Sequence, residues 1–413
     1  MRTLQHPNRP TAAQPGVVSP RAIARLSGWA LAAVTAAALT ACGGSGSNSV
    51  ASSGDTPGTS SGGLVVSTIA GQGMNISGAT DGPAAQATFN EPYGVAIGPN
   101  GSLYVADTLN SKIRIIAADG TVSTLTGTGS MYNPNRSSSC IDDTYVDGPC
   151  ASATFNQPTD LAVDASGTIY VADWLDTVIR KITNPGTSSC TVSTLAGSFC
   201  NSIPASDGTG SQAGFGGPVG LTLDTDGNVY VADGNGQIIR KVTPAGVVTT
   251  IAGNRAVSGN ANGVGTSATF NMPWGIRMDG QGNLYVSDAN NNNIRKITPD
   301  GTVSTWAGST TGANGAADGA GTSATFNSPR GLAFDAVGNL YVSDYENGMV
   351  RAITPAGQVT TVAGSNRNAN MMINGPADQA TFFFPSGVAV DANGVIYVAD
   401  ERNNAIRKIA PAQ

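Results

Sequence analysis

The phrase Tyr-Val-(Ala/Ser)-Asp occurs six times in this chain, starting at Tyr104, Tyr170, Tyr230, Tyr285, Tyr341 and Tyr397, at spacings of 66, 60, 55, 56 and 56 residues. A period this long is the mark of stacked supersecondary units, none of which buries its apolar face alone. Each unit reads Pro-x-Gly, an apolar run, Asp-x-x-Gly, the Tyr-Val phrase, Ile-Arg-Lys-Ile, a Pro/Asp-Gly turn and Thr-Val-Ser-Thr-Leu-Ala-Gly, as from Pro329 to Gly364. Short apolar runs between Gly, Asn and Asp turns predict four strands per unit. With 54 Gly and 12% charged residues, the composition agrees with a turn-rich β protein and gives no sign of helices.

The last unit ends at Ile406-Arg407-Lys408-Ile409 and a short tail, lacking its fourth strand, while an orphan fourth strand, Leu64 to Gly71, precedes the first unit. Left open, the array would expose two strand edges that invite aggregation. Joined, they close a ring. The sequence therefore predicts an all-β fold: a six-bladed β-propeller of four-stranded antiparallel blades over residues 64–413, with the strand at 64–71 outermost in the last blade. An open solenoid is the alternative.

The run Phe326-Asn-Ser-Pro-Arg-Gly-Leu-Ala-Phe-Asp335, followed by Gly338-Asn-Leu-Tyr-Val-Ser-Asp344, Val350-Arg-Ala-Ile353 and Thr360-Thr-Val-Ala-Gly364, resembles the NHL repeat family, and the resemblance extends from Leu64 to the C-terminus. Departures are local: Gly98 stands for the first-strand Asp in blade one, Asp160 for the Gly after Pro-x in blade two, and blades three and six read Phe215-Gly-Gly-Pro218 and Phe382-Phe-Phe-Pro385. They are expected to alter loops only. The resemblance implies a fold and names no chemistry, because such propellers serve as adhesion modules, sensors, nucleic-acid binders and a few enzymes.

Residues 1–25 hold four Arg and no acid, Leu26 to Leu39 is apolar, and Leu39-Thr-Ala-Cys42 follows. The apolar stretch is short for a permanent span and suits an export signal. Its ending resembles a bacterial lipoprotein signal, which implies a signal peptide over 1–42, lipidation at Cys42 and, since Gly43 follows, sorting to the outer membrane. The alternative is an ordinary signal cut nearby. Residues 43–63, rich in Gly and Ser, predict a flexible tether with a reach of roughly 25 Å.

Without residues 1–42 the chain keeps 17 Lys plus Arg against 27 Asp plus Glu, a net charge of −10, and loses its single histidine, His6. An acidic surface argues against a nucleic-acid partner. Loss of histidine removes Ser-His-Asp and Cys-His catalysis and the histidine-held metal that the resemblance implies for propeller lyases.

In an oxidising compartment, Cys140, Cys150, Cys190 and Cys200 allow three pairings. Cys140 and Cys150 share one long loop, and a disulfide is expected between them. Cys190 and Cys200 flank a seven-residue strand that holds them roughly 23 Å apart if straight, beyond disulfide reach; that pair stays reduced or pairs otherwise.

Charged residues recur seven apart across the hairpin between strands two and three: Asp107 and Arg114, Asp173 and Arg180, Asp233 and Arg240, Asp288 and Arg295, Asp344 and Arg351, Asp400 and Arg407. An active-site residue would occur once, so these read as structural pairs. The alternative is a ring of ion ligands. Function is expected where the repeats disagree: after the first-strand Pro (Tyr93, Thr159, Val219, Trp274, Arg330, Ser386) and after the Tyr-Val-x-Asp phrase (Thr108, Trp174, Gly234, Ala289, Tyr345, Glu401). Both positions map to the face where fourth strands lead into first strands, as do Glu91, Glu346 and Glu401, the only glutamates of the chain. Trp306, in a rim strand, reads as core.

Tyr93, Trp174, Trp274, Arg330, Tyr345 and Glu401 are thus the candidate ligand face, aromatics beside charges on a rigid ring. The leading reading is a monomeric, non-enzymatic envelope scaffold that binds protein, peptide or glycan there and needs no cofactor. The second is a hydrolase or lactonase resembling gluconolactonase-type propellers, with one calcium-like divalent ion held by Glu91 or Glu401 and Asn90 or Asn403. A purely structural envelope role is the third.

Overall fold

A computed structural model describes residues 63–129, 145–198, 205–365 and 371–412. The signal and lipidation at Cys42, nearly all of the tether, Cys140 and Cys200 lie outside the described residues. Six antiparallel sheets form the six blades of a propeller. In the first, the inner strand Pro92–Ile97 is followed outward by Leu103–Asp107, Lys112–Ile116 and Thr121–Thr126. The second strands are the most buried, every residue of Leu103–Asp107 and Ile169–Asp173 being covered.

Each blade carries a fifth strand of two residues at its rim, where four were expected. In blade one this is Gly82–Pro83, paired with Val122 and Thr121. It is clamped by the residue before it: Asp81 accepts the Thr124 N–H at 3.1 Å, the Thr124 hydroxyl at 3.0 Å and Arg114 Nη2 at 2.6 Å. Two residues are too few to show an alternation in sequence.

The strand Leu64–Ala70 pairs antiparallel with Ala405–Pro411, from Leu64 opposite Pro411 to Ala70 opposite Ile406, and so closes the ring. It is the fourth strand of its blade and not the outermost, since Gly375–Pro376 pairs on its far side. Val66 and Ala70 are buried against neighbouring blades.

The six inner strands touch in a closed cycle. A Cβ added to Gly220, Gly275 or Gly331 would lie 2.2 Å from the carbonyl oxygen of Trp274, Arg330 or Ser386 in the next blade, and one on Gly387 would lie 2.4 Å from that of Tyr93. Only glycine permits such approach. Blade two has Asp160 at this position, and its seam is made by Thr159 Oγ1 donating to the Val219 carbonyl at 2.8 Å.

Between blades, one buried Phe per unit (Phe89, Phe155, Phe215, Phe270, Phe326, Phe382) anchors the core. The guanidinium of the third-strand Arg lies over this ring at 4.8 to 5.3 Å and pairs with the Asp seven residues earlier at 2.6 to 3.4 Å, both side chains fully buried. Arg114 also donates to the carbonyls of Thr88 and Thr80, so one side chain ties the blade to the loop leading into it.

The expected Cys140–Cys150 disulfide does not form, because Cys150 is bonded to Cys190, with Cα atoms 5.4 Å apart. The rim strand explains the change of partner. Gly148–Pro149 pairs with the fourth strand, Pro149 opposite Thr191, which leaves the residues just beyond them adjacent. The Cys150 N–H donates to the Cys190 carbonyl at 3.0 Å. Trp306, expected in the core, is half-buried at its edge, packed edge-on against Tyr285 with centroids 4.7 Å apart.

Candidate functional site at the channel mouth

The start of each inner strand lies beside the turn after the second strand, as Pro92 opposite Asp107 shows; that turn is a short 3-10 helix in blades one, four, five and six, and six such corners surround the channel mouth. Most mouth positions are closed: Thr159, Val219, Ser386, Thr108 and Ala289 are buried. Four of the large side chains there converge. Arg330 lies over Tyr345 at 3.3 Å, over Trp274 at 4.0 Å and over Tyr93 at 5.9 Å from the ring centroids. Tyr345 stacks on Phe384 at 4.7 Å, and Phe384 on Phe383 at 4.8 Å. A continuous row, Phe383, Phe384, Tyr345, Arg330, Trp274, Tyr93, therefore runs from blade six across blades five and four to blade one.

Five of the six candidate residues belong to this assembly. Trp174 is not part of the stacked row: it lies over the start of blade three, where a Cβ on Gly217 would lie 2.8 Å from its Nε1, and packs on the same blade three and four core as Trp274. Two of the five are also less accessible than a contact surface requires, since Tyr345 is 6% and Glu401 1% exposed. Glu401 sits beneath the row, accepting Arg330 Nη1 and the Tyr345 hydroxyl, each at 3.1 Å. Its role is to orient Arg330, which is held on two faces by aromatic rings and on its edge by this carboxylate.

Phe383 and Phe384 were expected to affect loop geometry alone, yet they extend the row. Their signal is a triple Phe where one Phe suffices for the core. A second feature missed is the backbone before the inner-strand Pro of five blades, where Glu91, Gln157, Met272, Ser328 and Phe384 have φ of 49, 56, 58, 55 and 60°. Left-handed backbone costs an ordinary residue about 1–2 kcal/mol. It is offset by ties between blades, as when the Glu91 N–H donates to Asn404 Oδ1 at 2.8 Å and the Ser328 N–H to Asn292 Oδ1 at 2.8 Å. A third set, two residues after the phrase Asp, forms the outer rim, where Leu109, Asn235, Asn290, Glu346 and Arg402 are exposed.

The two carboxylates proposed as ion ligands are already engaged: Glu91 Oε1 pairs with Arg402 Nη1 at 2.5 Å and Glu401 is bound as above. Asn403 Nδ2 donates to Asp400 at 2.8 Å, and its Oδ1 has no hydrogen-bond partner among the described residues. Among the described residues, no group of three or more His, Cys, Asp or Glu is placed to hold a metal ion.

Burial pushes the Glu401 carboxyl up to about 7 from an ordinary value of 4.5, against the opposing pull of Arg330. Between these values the unfolded chain has released this proton and the folded chain retains it. Stability from Glu401 is therefore complete below about pH 4.5 and is lost as pH rises to about 7. Against Glu401→Gln, which cannot titrate, the wild type should lose on the order of 2 kcal/mol between pH 4.5 and 8 in urea unfolding. A constant difference between the two proteins over that range would contradict the assignment.

The model of the NHL repeat matches residues 155–175, 270–297 and 382–409, in blades two, four and six. The chain carries NHL repeats. This NHL propeller is 29% identical over 318 residues to NHL repeat-containing protein 2 of Bos taurus, a match covering 72% of this chain and 44% of that protein. The chain thus spans less than half the length of the curated relatives it matches first. Among solved structures it superposes on a Bacteroides thetaiotaomicron protein of unknown function (24% identity, TM-score 0.63, 84% and 76% of the two chains). It also superposes on an auxiliary nutrient binding protein from the same species (18% identity, TM-score 0.63, 85% and 77%). At these identities the NHL propeller shares the fold with them.

Proposed function

We propose that this NHL propeller is a binding scaffold that holds an extended peptide or glycan across its channel mouth. The observation that carries this is the row of stacked side chains centred on Arg330. Apart from Trp174, the other blades close the same corners with small or buried residues, so the fold does not require it. Flat aromatic faces beside an oriented guanidinium suit stacking on sugar rings or on proline and peptide planes, and the exposed rim with Leu109, Glu346 and Arg402 surrounds them. The nutrient-binding description of a fold relative is in keeping with this reading. Attachment through Cys42 would place the scaffold at a membrane surface and leave the mouth open to polymers.

The test is retention of the wild-type chain on arrays of oligosaccharides and peptides, repeated with Trp274→Ala and Arg402→Ala. Trp274→Ala should weaken captured ligands by about 2 kcal/mol, as for a hot-spot aromatic, and Arg402→Ala, a change at an exposed side chain, by less. If both variants retain the wild-type set unchanged, the mouth is not the binding face.

A further inference from the structure

Below the mouth the channel is lined by the fifth residue of each inner strand, and in chain order these are Ala96, Ala162, Thr222, Arg277, Ala333 and Ala389. Five are small and one is arginine. Two residues earlier in each strand the series is Gly94, Asp160, Gly220, Gly275, Gly331 and Gly387, five glycines and one aspartate. The two departures come from blades two and four, 117 residues apart, and they meet: Arg277 Nη1 lies 3.3 Å from Asp160 Oδ2. The other blades build the same ring without a charge at either position, so neither is demanded by the fold.

The pair is only half used. Arg277 Nη1 donates to Asp160 Oδ2 and to the carbonyls of Leu221 and Ile276 at 2.9 and 2.7 Å, and Asp160 Oδ2 also accepts the Leu221 N–H at 3.2 Å. Arg277 Nη2 and Nε and Asp160 Oδ1 have no hydrogen-bond partner among the described residues, and the two side chains keep 20% and 13% exposure. Arg277 borders a cavity of about 260 Å³ whose other walls include Ile97, Val163, Phe334 and Val390. Above it, the throat framed by Tyr93 and Trp274 has about 10 Å³, space for about one water, and it is here, not on the cavity wall, that Asp160 lies, with Arg277 bordering both spaces. The cavity is therefore reached from the opposite face.

We propose that this lower channel binds a small zwitterion of the α-amino-acid type with an apolar side chain. Its carboxylate would accept from the free edge of the Arg277 guanidinium, whose fork matches two carboxylate oxygens. Its ammonium, the size of a water, would rise into the throat and donate to Asp160 Oδ1, and the side chain would lie below against the alanine and valine wall of the cavity. A carboxylate without an amine would face the Asp160 charge unscreened, and an amine without a carboxylate would face Arg277. This site is separate from the mouth and does not depend on the scaffold reading.

The experiment is calorimetric titration of the full chain with L-alanine, L-valine, acetate and ethylamine. The amino acids should bind saturably, with acetate and ethylamine weaker by roughly tenfold or more. Arg277→Ala and Asp160→Gly each install a residue that other blades carry at that position, so both should fold, and each should weaken amino-acid binding by roughly tenfold or more. The proposal is overturned by absence of saturable amino-acid binding, by acetate binding as tightly as L-alanine, or by binding that survives both variants.

Discussion

Removal of residues 63–71 is expected to lower the melting temperature by about 10 °C or more relative to a chain shortened only to Ser61. The strand Leu64–Ala70 is held between Ala405–Pro411 and Gly375–Pro376, with Val66 fully buried and Leu64 and Ile69 packed on cores shared with neighbouring blades. Burial of these side chains alone is worth on the order of 5 kcal/mol. Their loss also leaves Ala405–Pro411 with an unpaired edge, so dimers or aggregates should accompany the loss of stability. Scanning calorimetry of the two chains decides the matter, and equal melting temperatures would exclude the closure.

Arg351→Ala should cost about 3–5 kcal/mol in urea unfolding, because it strands a buried carboxylate. Arg351 is fully buried, pairs with Asp344 at 2.8 Å, donates to the carbonyls of Thr325 and Ala317, and lies over Phe326. Burial already pushes Asp344 up to about 6, with Arg351 the first of the groups opposing that rise. Without Arg351 the carboxyl should hold its proton to higher pH still. A double variant, Arg351→Met with Asp344→Leu, should recover only part of the loss, since Asp344 also accepts the Asn327 N–H and Asn347 Nδ2. A cost below about 1 kcal/mol for Arg351→Ala would mean that the six buried pairs do not hold the blades together.

The period, the orphan strand and the recurring Asp and Arg made the ring legible, because each repeats a constraint six times and noise does not. The rim strands escaped notice because two residues carry no pattern, and the disulfide followed them: Cys150 has its neighbour chosen by Pro149 opposite Thr191. At the mouth, disagreement among repeats picked out Tyr93, Trp274 and Arg330, which do converge. It could not tell that Tyr345 and Glu401 are buried, or that Trp174 lies against Gly217 outside the stacked row, because depth depends on contacts between blades. Glu91, Gln157, Met272, Ser328 and Phe384 were hidden for another reason: left-handed backbone is read in sequence from glycine, and none of them is glycine.

The glycine seam makes the bore a fixed gauge. Where Gly220, Gly275, Gly331 and Gly387 meet the carbonyl of the next blade, main chain abuts main chain, and the diameter is set by peptide geometry. Substitution at the flanking positions can refit the lumen, as Ala333 and Arg277 differ at equivalent places, and leave the gauge untouched. Lineages of such a chain could thus exchange the contents of the pipe residue by residue, while a change of calibre would demand the gain or loss of a whole blade.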